Sequence, residues 1–198
     1  MSQHACTFAL YSHDTTRQIE THHYITRLNQ DFLQCAVYDT DDCTGTSSYI
    51  VSDRIFETLL PDEQNSGILM LMRHVKSGLW ANPRVPEMVA RPELENIAKT
   101  YGKFWCTWQT DRGDKLPMGP PALMMSPQGV GIGIVDPVLV QKRDEKYNIS
   151  SDALKTARVE IAEPEWLNPQ ADYWKQHKDK GFCIDVETTE MKTRAPFP

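Results

Sequence analysis

The chain has 198 residues, 40% hydrophobic and 24% charged, enough apolar material to bury one substantial core. Its formal charge of -6 and pI near 5.5 oppose non-specific nucleic-acid binding, which needs a clustered basic surface to release phosphate counterions. Five scattered cysteines without a Cys-x-x-Cys pair indicate neither a disulfide framework nor a zinc ribbon, so reduced thiols are expected.

The first residues, Met-Ser-Gln-His-Ala-Cys, lack the charged leader and apolar core of a signal peptide, and the central apolar run 68–72 is far below the roughly 20 residues that span a bilayer. A cytoplasmic protein without integral membrane contact is expected. Alternation predicts a strand over 4–11 with Cys6, Phe8 and Leu10 on one face, broken by turn-forming residues at 12–15. Further strands are expected over 20–28, 34–39 and 49–52. Ile55, Phe56, Leu59 and Leu60 then follow helical spacing up to Pro61, and 69–76 returns to extended character.

Leu94, Ile97, Ala98 and Tyr101 form an apolar stripe that predicts a helix over 92–103, with Pro92 in its first turn. The aromatic run 104–110 reads as a strand. It feeds 111–125, where Gly113 and Gly119 suit positive φ angles and Pro117, Pro120 and Pro121 lock φ, giving an ordered non-helical loop. Residues 129–134 lack the spacing of a nucleotide loop and read as a thin strand. Asp136-Pro137 predicts a capped helix to about Tyr147, and Ser151 caps another toward Ile161. Pro164 and Pro169 open an extended tail whose Trp166, Tyr173, Trp174 and Phe182 should pack across the domain. The division is an α+β domain over 1–162 and a packing tail over 163–198, with one mixed or mainly antiparallel sheet and flanking helices.

Histidine is the commonest acid/base near neutral pH. On a strand, His22 shares a face with Tyr24 and Glu20, while His23 shares the other with Ile25, so Glu20 can orient His22. Structural histidines remain the commoner outcome. Asp111, Arg112 and Asp114 form either a turn-stabilising ion pair with an Asx cap or a polar ligand contact beside Trp108. Leu123, Met124 and Met125 near Trp105 and Trp108 either fill the core or wall an apolar cavity.

Several motifs occur in one order: the stretch from Glu20-Thr-His-His-Tyr to Gln34-Cys-Ala-Val-Tyr-Asp39, then Tyr49-Ile-Val-Ser-Asp-Arg-Ile-Phe56, Val75-Lys-Ser-Gly-Leu79, Tyr101-Gly-Lys103, and 111–121. Together, across roughly 4–160, they resemble the oil-body-associated protein (DUF1264) family, whose biochemical activity is unknown. The resemblance implies a soluble protein of a kind found on seed oil bodies and also in organisms without them. Members carry a His-x-His pair ahead of the Val-Lys-Ser-Gly stretch; here those positions are Leu69 and Leu71, which marks a divergent member and implies loss of any metal at that pair.

The leading expectation is a binder of a small hydrophobic molecule, leaning to a metal-independent biosynthetic enzyme of isomerase, cyclase, lyase or hydrolase type, with neither cofactor nor metal. His22 or His74 would be the acid/base and Glu20 or Asp111 its partner, with Leu69, Leu71, Trp105, Trp108, Tyr24, Met124 and Arg112 lining the substrate site. A non-enzymatic lipid-droplet-associated or interaction protein is the alternative. A metal-dependent enzyme using His4, His22, His23 and His74 is the second alternative. Partners considered are the small molecule, a homodimer copy and a lipid-droplet surface.

Overall fold

A computed structural model describes residues 3–39, 44–65, 69–127, 134–171, 177 and 180–192; the side chains of 44–47, 65 and 69 lie outside that description. Four long strands come first: β1 (Gln3–Tyr11), β2 (Asp14–Arg27), β3 (Phe32–Tyr38) and β4 (Thr44–Ser52). They pair antiparallel in chain order. Three shorter strands follow, β5 (Leu69–Met70), β6 (Thr100–Cys106) and β7 (Ala122–Met125). β7 pairs with both β1 and β6, and β6 pairs back onto β4, so six strands close into an antiparallel barrel, with β5 adding two residues beside β6. The expected α+β character and antiparallel pairing are present. Closure was not foreseen, because the pairing of β4 with β6 joins residues about fifty positions apart that no local pattern links.

The barrel is narrow and filled by side chains, as a six-stranded barrel must be. Residues alternate inward along each strand: Ala5, Thr7, Ala9 and Tyr11 from β1 meet Thr21, His23 and Ile25 from β2. β1 is buried on both faces from Ala5 to Tyr11, as is its short neighbour β7. The outer face of β1 is roofed by helix α5 (Pro137–Tyr147), whose Arg143 guanidinium lies 5.0 Å from the Phe8 ring centre. Asp136 caps that helix as expected, its side chain accepting from the Val138 amide at 2.8 Å. In the helix that follows, α6 (Ser151–Ala157), the cap is Ser150 rather than Ser151, since Ser151 is occupied by bonds to Arg143 and Asp144.

Four shorter or displaced helices correct the sequence reading. The first helical stretch shortens to α1 (Asp53–Phe56), and a second helix, α2 (Pro61–Asn65), begins at the proline expected to end it. Residues 72–76 form α3 (Met72–Lys76) rather than continuing a strand, so the extended character expected for 69–76 holds only at Leu69–Met70. α4 (Glu87–Ile97) starts five residues earlier than expected and stops six earlier. Pro92 sits inside it. The carbonyl it cannot bond belongs to Met88, on the exposed side of the helix where water can serve it. Tyr101 leaves the helical stripe to join β6, where it pairs with Val51 and stacks on Phe56 at 4.2 Å. β6 consequently spans Thr100–Cys106, not 104–110, and the run ends in a short 3-10 turn, Thr110–Arg112. Gly113 takes the positive φ expected of it, 92°, while Gly119 is not among the positive-φ glycines.

Among the described residues the tail touches the domain from its first residue, where the Lys76 ammonium donates to Glu163 at 3.2 Å. Asn168 donates its amide to the Tyr101 hydroxyl at 3.4 Å with Ala171 buried nearby, and the Phe182 amide donates to Ser12 Oγ at 3.1 Å. Trp166 is exposed rather than packed. Tyr173, Trp174 and most of the thin 129–134 stretch fall outside the described residues.

Candidate functional site

The polar side chains sort into an outer ladder, an interior pair and two buried arginine joints. On the outer face of the β1–β2 ribbon, Cys6 lies directly opposite His22, and Phe8 opposite Glu20. Strand alternation therefore puts His4 and Cys6 beside Glu20, His22 and Tyr24 on one face. Glu20 Oε1 lies 3.2 Å from His22 Nε2 and accepts from the Cys6 thiol at 3.4 Å. His22 Nδ1 is 3.0 Å from His4 Nε2, and the His4 ring stacks between His22 and Tyr24. Burial opposes the charge on Glu20, yet contacts from His22 and Cys6 and the nearby Lys146 ammonium hold its carboxyl below the ordinary value. Burial, reinforced by Glu20, pushes the Cys6 thiol up to about 12.

His23 points the other way, into the barrel. It lies with His74 against Trp80, at ring separations of 5.6 and 5.4 Å, and His74 Nε2 hydrogen-bonds Thr7 Oγ1. Desolvation lowers both imidazoles to about 3, His74 further burdened by His23 and by Arg143 and Arg158, so both are neutral near pH 7. They line a cavity of about 40 Å³ together with Leu71 and Met124. Ligand pockets for small organic molecules run to roughly 300–1,000 Å³, so this space holds water at most.

Asp111 closes the end of the barrel. Arg17 grips its carboxylate with two bonds of 2.7 and 2.9 Å, and the Tyr11 hydroxyl donates to it at 2.8 Å, while the same guanidinium sits 3.7 Å above the Tyr11 ring. Burial opposes ionisation here too, but the Arg17 and Tyr11 bonds win and lower the Asp111 carboxyl. Arg112 pairs with Asp114 at 3.1 Å, Asp114 accepts the Gln109 amide at 3.1 Å, and Trp108 Nε1 donates to the Asp114 carbonyl at 3.0 Å. These are the bonds of the turn-stabilising alternative.

Of the expected site residues, the fold brings together His22, Glu20 and Tyr24, with His4, on the outer face, and His74, Leu71 and Met124 around the interior cavity. His74 is on the opposite face of the sheet wall, and the partners of Asp111 are Arg17 and Tyr11. Leu71 and Met124 line the small cavity, which Trp105, Trp108, Tyr24 and Arg112 do not. Leu69 enters β5 through its backbone, and its side chain is outside the described set. The quartet of His4, His22, His23 and His74 cannot share one ion, because the first two and the last two occupy opposite faces.

Sequence reasoning missed two buried arginines. Arg158 pairs with Glu87 through bonds of 2.6 and 2.8 Å and donates to the carbonyls of Val75 and Trp80. Arg143 donates to the Leu79 carbonyl at 2.9 Å and to Ser151 Oγ at 2.6 Å. Both fasten the last two helices to the 75–87 segment. That joint explains the Val75-Lys76-Ser77-Gly78 motif: Gly78 has φ 79°, and a Cβ there would come within 2.2 Å of the Ser151 carbonyl oxygen. The glycine was visible in the sequence, but its distant neighbour was not.

A family model described as a protein of unknown function (DUF1264) matches residues 1–162. Oil body-associated protein 2C of Arabidopsis thaliana is 60% identical over all of this chain and 84% of its own length, and oil body-associated protein 2B of Zea mays is 57% identical over all of this chain and 80% of its own. This chain belongs to the DUF1264 family of oil body-associated proteins. Within the family, oil body-associated protein 1B of Arabidopsis thaliana is more distant, 34% identical over 96% of this chain and 78% of its own length. No solved structure matches the chain.

Family membership overturns the leading functional expectation. Relatives at this identity are named for association with oil bodies, not for a biosynthetic reaction, and the residues assigned to the hydrophobic pocket disperse over separate regions around a water-sized space. The alternative of a lipid-droplet-associated protein is the one the family favours.

Proposed function

We propose that this protein is a non-enzymatic, peripheral component of the oil-body surface, docking on the lipid monolayer through the outer edge of α4. The observation that carries the reading is 53–60% identity across essentially the whole chain to five proteins named oil body-associated. Among the described residues no helix is long and apolar enough to cross a membrane, and an oil body in any case offers a single phospholipid layer over neutral lipid, which suits peripheral docking.

The α4 edge has the composition for it. Ala90, Leu94 and Ile97 face the core at helical spacing, leaving Met88 at 86% and Val89 at 67% exposure on the outer side. Val85 precedes them, also exposed, and Val159 is exposed on a segment that Glu87 and Arg91 tie to α4. Exposed Arg84 flanks the cluster and suits anionic phospholipid headgroups. Burying Met88 and Val89 in the acyl region would contribute about 1.5–3 kcal/mol each.

A fluorescent fusion expressed in cells that accumulate triacylglycerol tests the reading: it should ring the droplets, and Met88→Asp with Val89→Asp should release it into the surrounding cytosol. A diffuse wild-type signal would sink it. A homodimer covering the same edge is the competing occupant, and would appear as a doubled mass that the two substitutions abolish.

A further inference from the structure

The outer ladder holds four metal-ligating side chains that the oil-body reading does not use. A Glu20 carboxylate oxygen, Cys6 Sγ and a His22 ring nitrogen all lie within 4.8 Å of one another, on two adjacent strands whose pairing fixes their spacing. Two of the three separations, 3.4 Å from sulfur to carboxylate and 3.2 Å from carboxylate to imidazole, are those that a tetrahedral zinc ion imposes on ligands bound at roughly 2.0–2.3 Å. The third pair, thiol to imidazole, lies within 4.8 Å.

A second observation points to a ligand. His22 is buried, yet its Nε2 makes no hydrogen bond: Glu20 Oε1 is near enough for one but not aligned for it. A buried imidazole nitrogen turned toward a carboxylate and a thiol without a hydrogen bond presents a lone pair where a cation would sit. The other nitrogen is set up correspondingly, since His22 Nδ1 lies 3.0 Å from His4 Nε2. With the proton on Nδ1 donated to His4, Nε2 is left free to ligate, the arrangement by which an outer partner fixes the tautomer of a metal-binding histidine.

We propose that Cys6, Glu20 and His22 bind one divalent metal ion of the zinc class, with His4 orienting His22 and water completing the coordination. The mixed sulfur, nitrogen and oxygen set favours zinc over magnesium or calcium, which prefer all-oxygen ligands. Binding displaces the Cys6 thiol proton to solvent, so the bound ion faces one thiolate and one carboxylate. Arg143 and Lys146, presented from α5, are the cations facing the set; Arg143 is itself paired with Asp144 at 2.7 Å, which moderates its repulsion of the metal. Partly exposed Glu20 provides the route of entry. The site is independent of oil-body association and lies on a different face from the α4 edge.

Cobalt(II) titration of the full chain tests the assignment, because a cobalt–thiolate bond gives a charge-transfer band in the near ultraviolet and tetrahedral geometry gives intense visible bands. Wild type should show both at one equivalent, and zinc should displace them. Cys6→Ser should abolish the charge-transfer band, and Cys6→Ser and His22→Gln should each weaken zinc at least tenfold in competition with a chromogenic chelator. His4→Phe, which keeps the stacking and removes the acceptor, should weaken it roughly tenfold. Absence of the thiolate band in wild type, or its survival in Cys6→Ser, would overturn the proposal. Should His22→Gln fail to fold by circular dichroism, the wild-type and Cys6→Ser spectra decide the matter without it.

Discussion

Inside the barrel, His23 and His74 are packed against Trp80 and held neutral by desolvation, while on the α4 edge Met88 and Val89 stand in water. Each region inverts the usual placement of polar and apolar groups. The inversion inside has partners to explain it, since Thr21 and Thr7 bond the imidazoles and aromatic rings cover them. The inversion outside has no partner within the described chain, and it is the surface proposed to meet lipid. Buried polar groups here serve the fold, and the exposed apolar ones are those available to a lipid surface.

Acid should break the interior first. His23 and His74 have folded values depressed to about 3 against an ordinary 6.5, so their contribution is fully present above pH 6.5 and is lost as pH falls from there toward 3. Between pH 6.5 and 5 each should cost up to about 2 kcal/mol in denaturant unfolding, and His74→Gln should remove about half of that pH dependence. The arginine joint comes next. Arg158→Met leaves Glu87 without its partner and should destabilise by about 3 kcal/mol, the lower end for a buried pair because Glu87 is partly solvated. Gly78→Ala strikes the same joint through backbone strain and collision with Ser151, and should cost at least about 1–3 kcal/mol by thermal unfolding. Neither joint variant should alter droplet binding of the folded fraction.

The α4 edge should respond in the opposite sense. Met88→Asp with Val89→Asp should change unfolding stability by no more than about 0.5 kcal/mol per site, as exposed positions do, while lowering droplet partition at least tenfold. A double variant that unfolds, or one that binds as before, would erase the distinction between the two regions.

The ribbon of β1 and β2 was legible because its alternation is local: Glu20, His22 and Tyr24 on one face and His23 and Ile25 on the other follow from the pleat alone. That Cys6 faces His22 was not, because the pairing slips between Leu10 and Tyr11, and no turn rule predicts that slip. Pro92 misdirected the helix boundary, since a first-turn preference competes with a stripe of Ala90, Leu94 and Ile97 that needs the helix to begin earlier. The apolar run after Leu69 became α3 because two residues of pairing with β6 exhaust β5, and the chain then turns to place His74 inside. The non-helical reading of 111–125 missed the 3-10 turn at its start and its last four residues, which pair as β7 and help close the barrel, while Gly113 alone of its two glycines takes the expected positive φ. Closure and the arginine joints depend on contacts dozens of residues apart, and local spacing carries no record of those.

Flotation with phospholipid-coated triacylglycerol droplets bears most directly on the oil-body reading. Purified wild-type protein should rise with the droplets in a density gradient while the Met88→Asp, Val89→Asp double variant stays in the dense fraction; wild-type protein that remains in the dense fraction would contradict the account.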